Sequence, residues 1–173
     1  LIPYLNGEIK KQALKNALSV IRQIKDESSR TYILSGFMTL NLNEEDKVEL
    51  LSIADDIKNT SDHARALAIL APFESEDIKA QTFYSVCNIP DISKRTSALS
   101  ALFPYLSTDL RDKVLSIVRE IKDGHTRFQA LFSLFPHMNE NAKILVLEDI
   151  ISSLQDIQYP SDRANAVLSL LPY

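Results

Sequence analysis

The apolar residues of this chain fall at intervals of three and four residues, in short segments separated by polar turns. Such spacing places them on one face of an α-helix. The segments come in pairs, such as the stripe Val114, Ile117, Val118 and Ile121 followed by the stripe Ala130, Leu131, Leu134 and Phe135. The pattern predicts an all-α protein with ten helices in five antiparallel pairs and no β-strand.

The pattern repeats five times. Each unit carries an isoleucine six residues before a position that is arginine in four of the five units. This arginine position is occupied by Arg30, His63, Arg95, Arg127 and Arg163, so successive units lie 33, 32, 32 and 36 residues apart. Nine residues later comes Thr39, Pro72, Pro104, Pro136 or Pro172. We expect the proline to end the second helix, because it lacks an N–H and disfavours helical geometry in the preceding residue.

Two short amphipathic helices cannot bury an apolar face alone, so we expect consecutive units to stack as an α-solenoid. The predicted units are 6–40, 41–73, 74–105, 106–137 and 138–173, and residues 1–5 are expected to be the tail of a preceding unit. Neither end of the sequence has the polar face of a capping repeat. We therefore expect residues 1–173 to form a single solenoid segment of a longer chain with further repeats.

The second helix of each unit resembles the second helix of HEAT repeats. The shared pattern is an arginine, then an alanine three residues later and a leucine seven residues later, as in Arg127, Ala130 and Leu134. Aspartates four residues before the arginine position, at Asp26, Asp91 and Asp123, are similar to the aspartate and arginine ladder of that family. The units are shorter than typical HEAT units, and the ladder is interrupted at Asn59, His63 and Tyr159. The resemblance implies a HEAT-like superhelix. A looser similarity to the C-terminal arrays of bacterial signalling NTPases implies a sensor or scaffold role.

Composition and charge favour a globular helical protein and argue against several other classes of protein. Three glycines leave little material for hairpin turns, and 45% hydrophobic residues suffice for a core. A net charge of −4 makes duplex nucleic-acid binding unlikely, since such binding depends on neutralising phosphates. The single Cys87 cannot form an internal disulfide, and we expect a cytoplasmic location. No apolar run approaches the roughly 18 residues of a membrane span, so no membrane association is expected.

The candidate catalytic chemistry is weak. Asp123, His125 and Arg127 lie close together in the segment IKDGHTRFQ, but the sister units have no equivalent histidine. The three histidines are scattered, which predicts no metal site. No glycine-rich phosphate loop is present. We expect no catalytic residue and no cofactor, so the protein is predicted not to be an enzyme.

The recurring arginine needs a structural explanation, because a cation in the first turn of a helix opposes the helix dipole by about 0.3 to 1 kcal/mol. We expect the aspartate four residues earlier, or that of a neighbouring unit, to compensate. Serine, threonine and aspartate residues just before or near this position are expected to cap the second helices: Ser28, Ser29, Ser61, Asp62, Ser93, Thr126, Ser161 and Asp162. The alternative, a row of anion-binding arginines, is less favoured than a structural ladder.

One further position varies in kind while the core positions repeat. Two residues after the arginine position stand Tyr32, Arg65, Ser97, Gln129 and Asn165. About 200° of helix separates the two positions, so they point to different sides. We predict that these five residues line an exposed face that binds a protein or peptide partner, unless they are simply unconstrained surface positions. The function expected is a non-catalytic interaction scaffold or sensor segment. The alternatives are a HEAT-like enzyme or nucleic-acid-acting module, and a structural spacer or oligomerisation arm.

Overall fold

The computed structural model describes residues 7–171 and is helical throughout this range, without a β-strand. It contains ten α-helices, which confirms the predicted all-α class and the predicted number of helices for the described residues. They are α1 Gly7–Gln23, α2 Glu27–Ser35, α3 Glu44–Asp55, α4 Thr60–Leu70, α5 Glu76–Cys87, α6 Ile92–Leu102, α7 Thr108–Arg119, α8 Gly124–Leu134, α9 Glu140–Gln155 and α10 Pro160–Leu170. The predicted tail at residues 1–5 lies outside the described residues.

Four of the even-numbered helices run on into a short 3-10 helix. These are Gly36–Thr39, Ala71–Phe73, Phe103–Tyr105 and Phe135–His137. The proline of the repeat lies inside the last three, so the α-helix does end just before it, as predicted. The expected local geometry is wrong, because Ala71 keeps right-handed helical angles directly before Pro72 (φ −48°, ψ −32°). A 3-10 turn tolerates the missing N–H at its start, and the chain leaves the helix only after this turn.

The residues that cap the even-numbered helices differ from the expected ones. Asp26, Asn59, Asp91 and Asp123 accept hydrogen bonds from backbone N–H groups two or three residues later, at 2.7 to 3.0 Å. The expected serine and threonine caps are therefore wrong, since the helices begin earlier than the sequence pattern suggested. The ladder aspartates act as N-caps and satisfy the orphan N–H groups of the first turn.

The chain divides into two compact units, one up to Ala98 and one from Leu99 onward. In the first unit, α1 packs against α2 and α3, and α4 packs against α2, α3 and α5. Helix α4 lies deepest, since Ala64, Ala66, Ala68 and Leu70 are all at most 1% exposed. Helices α1 and α2 of this unit therefore contact the next helix but one, α3 and α4 respectively.

In the second unit, α8 packs against α7, α9 and α10, and α9 packs against α10. Leu131 and Leu134 of α8 are fully buried. Gly124 starts α8 against the backbone of Asp156, and an added Cβ at Gly124 would lie 2.7 Å from the carbonyl carbon of Asp156. Only glycine permits this close approach between the start of α8 and the end of α9.

Candidate functional site

Most residues at the arginine position hold the turn between two helices together. The guanidinium of Arg30 donates to the carbonyl oxygen of Ile24 at 2.7 Å, and those of Arg95 and Arg127 donate to Ile89 and Ile121 at 2.6 Å. Each acceptor lies at the C-terminal end of the preceding helix, where carbonyls lack a helical partner. The expected pairing with the aspartate four residues earlier is wrong, because that aspartate caps its own helix. The predicted structural role near the turn is confirmed for these three arginines.

Arg127 makes further contacts with the following helix pair. Its Nε donates to Ser153 Oγ at 3.0 Å, and its other terminal nitrogen is ion-paired with Asp156. Arg163, at the same position of the last pair, is exposed, and its guanidinium has no hydrogen bond to any residue in the range 7–171. The predicted structural contact is therefore wrong for Arg163, whose preceding turn also carries Tyr159 where the other units have an aspartate or asparagine cap.

Asp62, one residue before the arginine position, is a buried carboxylate in the first unit and is only 4% exposed. Ser28 Oγ donates to its Oδ2 at 2.9 Å, and Arg65 Nη1 donates to its Oδ1 at 2.9 Å. The ammonium of Lys94 lies 3.8 Å from the same Oδ1. Donors from α2, α4 and α6 therefore converge on one charge, which needs such partners to be buried.

The five residues two positions after the arginine position, which form the predicted binding row, do not all have the predicted exposure. Arg65 is not an exposed recognition residue, because only 21% of its side chain is accessible and its guanidinium is held by Asp62. Tyr32, at 75% exposure, and Ser97 are exposed as predicted. Both lie in the first unit. Arg65 differs from them because it is part of a buried ion pair.

Gln129 and Asn165, the other two members of the row, come together in the second unit. They line an open groove of about 290 Å³ between α8 and α10. Helix α8 contributes His125, Phe128, Gln129 and Phe132, and helix α10 contributes Asp162, Asn165, Ala166 and Ser169. Both sets have the spacing i, i+3, i+4, i+7, which is one face of a helix. This groove is the candidate functional site.

The walls of the groove are chemically mixed. The rings of Phe128 and Phe132 stack nearly parallel, with centroids 5.7 Å apart. The side-chain nitrogen of Gln129 lies 2.9 Å from Nε2 of His125, and Nδ1 of His125 is buried without a hydrogen-bond partner among the described residues. Gln129 and Asn165 are both exposed. The groove therefore offers an apolar wall and two amides that accept and donate hydrogen bonds.

Among the described residues, Asp162 provides the only carboxylate that lines this groove. It is half-buried, and within residues 7–171 its carboxylate has no ion pair and no side-chain hydrogen bond. The sequence pattern predicts a helix-capping role for Asp162 and gives no role to His125. The helical spacing of His125, Phe128, Gln129 and Phe132 was the signal that could have placed them on one face.

A second buried carboxyl lies in the first unit, away from this groove. Glu74 comes directly before the N-cap of α5 and is 8% exposed, whereas the same place before α3, α7 and α9 is taken by Leu42, Leu106 and Met138. Thr82 Oγ1 donates to its Oε2 at 3.4 Å, and Oε1 has no partner among the described residues. Burial raises the pKa of Glu74 from 4.5 to about 7, with a small further rise from Asp55, although Thr82 and Lys79 lower it.

Three further features of the described residues concern metal binding, membrane insertion and the reactivity of the cysteine. Among residues 7–171, no group of three or more histidine, cysteine, aspartate or glutamate side chains is placed to hold a metal ion. No helix in this range is long and apolar enough to cross a membrane. Burial raises the pKa of the single Cys87 thiol, which keeps it protonated.

Comparison with known proteins gives no assignment. No protein-family model matches the chain, and neither a curated protein nor a solved structure is significantly similar to it. The resemblance to HEAT repeats and to signalling NTPase arrays therefore stays a prediction. The candidate site is therefore defined by the geometry of the groove and by the differences between the repeats themselves.

Proposed function

We propose that this chain is a non-catalytic interaction segment of a cytoplasmic HEAT-like α-solenoid, and that it binds a peptide segment of a protein partner in the groove between α8 and α10. The observation that carries the proposal is the placement of Gln129 and Asn165. They occupy the same repeat position on two helices, both are exposed, and they face one groove. Variable polar residues over a repeated framework are the usual recognition surface of repeat proteins.

The solenoid part of the proposal is supported by which helices touch. Contacts join α1 to α3, α2 to α4, and α8 to α10, so these three helices each meet their counterpart in the next pair. Pairs that contact only their neighbours are the organisation of a solenoid. A hydrogen bond from the arginine guanidinium to the isoleucine carbonyl oxygen recurs in three of the turns and gives them the same local structure.

The dimensions of the groove favour a peptide over a cofactor. A volume of about 290 Å³ is near the lower end of small-molecule pockets, which span roughly 300 to 1,000 Å³. The groove is also open and lies between two helices, so it admits one side chain of a longer partner. The alternative of an acid–base enzyme has less support, because His125 is bonded to Gln129 and no second titratable group within the described residues is hydrogen-bonded to it.

A positional-scanning library of acetylated hexapeptides tests this function, with binding measured by fluorescence anisotropy. We expect a subset to bind, and we expect the double variant Gln129→Ala, Asn165→Ala to lose that binding by about tenfold or more, as for two lost polar contacts. Stability should stay within about 0.5 kcal/mol for each exposed side chain. The pair Ser97→Ala and Tyr32→Ala, which alters the same positions outside the groove, is the control. Unchanged binding in the groove variant, or no binding of any peptide, would refute the proposed function.

A second function, an oligomerisation arm or a junction to further repeats, is favoured by a specific observation on α9 and α10. Ile151, Val167 and Leu171 are 54%, 44% and 74% exposed. Their counterparts one repeat earlier, Leu115, Leu131 and Phe135, are 8%, 0% and 7% exposed. Since another helix pair covers these positions in the earlier repeat, we propose that a helix pair of the same type covers them here. Sedimentation measurements on Val167→Ser and Leu171→Ser would test whether this face mediates self-association.

A further inference from the structure

We propose that the groove between α8 and α10 receives an arginine side chain of the partner peptide, whose guanidinium binds Asp162. This inference rests on the proposed peptide-binding function and names the chemistry that the groove recognises. In the first unit, the equivalent position is already occupied by the guanidinium of Arg65, which binds Asp62.

The α2–α4 junction of the first unit is the equivalent of the α8–α10 junction. Counted from the arginine position, Ser28 corresponds to His125, Asp62 to Asp162, and Arg65 to Asn165. The alignment requires no gap within either helix. The two junctions therefore present the same backbone positions with different side chains.

In the first unit the aspartate is neutralised by protein groups. Arg65 donates to Asp62 at 2.9 Å, with Ser28 on the second carboxylate oxygen and Lys94 nearby. One of these donors is a guanidinium, so a carboxylate at this repeat position can be neutralised by an arginine side chain.

In the second unit the guanidinium is missing and a groove remains. Asn165 replaces the arginine, and no lysine or arginine of the described residues lines the groove. The Asp162 carboxylate has no ion pair within the described range. A half-buried, unpaired carboxylate forms its strongest hydrogen bonds with a cationic group that carries several hydrogen-bond donors, so such a group should bind here most tightly.

The other walls suit arginine better than a compact amine. The guanidinium has five donors in a planar fork, enough for the carboxylate and for the amide oxygens of Gln129 and Asn165. The stacked Phe128 and Phe132 rings give an apolar wall for the methylene stem of the side chain. Lysine would bind Asp162 without reaching both amides, so we expect it to bind more weakly.

The experiment begins with the hexapeptide selected most strongly from the library above. We expect arginine at one of its positions, and we expect replacement of that arginine by citrulline, which keeps the shape and removes the charge, to weaken binding by about tenfold or more. Lysine should lie between the two. In Asp162→Asn, the arginine and citrulline peptides should bind equally well.

Two further variants control for folding and for general charge attraction. Glu148→Gln removes an exposed carboxylate of α9 outside the groove and should keep the arginine preference. Asn165→Arg places a guanidinium where Arg65 stands in the first unit, and it should block the arginine peptide while the protein remains folded by circular dichroism. Equal binding of arginine and citrulline peptides to the unaltered chain would overturn the inference, and so would an arginine preference that survives Asp162→Asn. Peptides selected without arginine would leave the proposed function standing and refute this inference alone, whereas no binding at all would refute both.

Discussion

The α2–α4 and α8–α10 junctions are built on the same repeat positions, yet one is filled and the other is open. At the first junction Asp62 is buried under Ser28, Arg65 and Lys94. At the second, Asp162 lines a groove with Asn165. At the second junction Asn165 stands in place of an arginine, and Phe128 and Phe132 lie on the facing helix. These differences separate a structural ion pair from the groove that we propose as a recognition site. A repeat position thus has no fixed role, because its role depends on what the neighbouring repeat supplies.

The most disruptive test of this comparison is Arg65→Asn, which makes the first junction resemble the second. It leaves the Asp62 carboxylate buried without its guanidinium, and we expect a loss of about 3 kcal/mol in the free energy of unfolding, since breaking a buried pair leaves an uncompensated charge. Urea unfolding measures this. In an Asp62→Asn background the same change should cost far less, and an equal cost in both backgrounds would show that the pair is not the cause.

The arginine position offers a second comparison, between Arg127 and Arg163. Arg127→Ala removes hydrogen bonds to Ile121 and Ser153 and the ion pair with Asp156, so we expect a loss of about 1 to 3 kcal/mol. Arg163→Ala, at the same repeat position but exposed, should change stability by less than about 0.5 kcal/mol. Both are measured by urea unfolding. Similar losses for the two variants would contradict the assignment of Arg127 as the contact between helix pairs.

Glu74 and its apolar counterparts Leu106 and Met138 give a third comparison, with a smaller effect. The pKa of Glu74 is raised on folding, so its contribution is most favourable below pH 4.5 and is lost as pH rises towards 7. A rise in pKa from 4.5 to about 7 corresponds to at most about 3 kcal/mol, and we expect about 1 to 2 kcal/mol because local relaxation and water access reduce the cost of a buried charge.

Replacing Glu74 by leucine should therefore stabilise the protein at pH 8 by that amount and have much less effect at pH 5. Unfolding by urea at the two pH values measures the difference. Glu45→Gln, an exposed change on α3, is the control for general charge effects. A gain that is the same at both pH values would mean that packing, and not ionisation, explains the change.

The sequence was sufficient for the helices because their signal is local. The isoleucine, arginine and proline spacing predicted ten helices and the turns that join them. The variable position after the arginine predicted an exposed face, but not the groove in which Gln129 and Asn165 lie. The sequence could not assign partners for buried charges. Arg65 and Asp62 are three residues apart, but their burial depends on Ser28 and Lys94, each about one repeat away. Such contacts are set by packing between repeats, which the spacing of apolar residues within one helix does not specify.

The hydrogen bond from the arginine to the isoleucine carbonyl also bears on how the chain reaches its folded state. Donor and acceptor are six residues apart, so the contact closes a very short loop, and loops of about ten residues close in roughly 10 to 100 ns. The turns that carry Arg30, Arg95 and Arg127 can then form independently of one another, before any helix meets its counterpart in the next pair. Folding can therefore start at any of these turns, and contacts of such low sequence separation favour a fast rate.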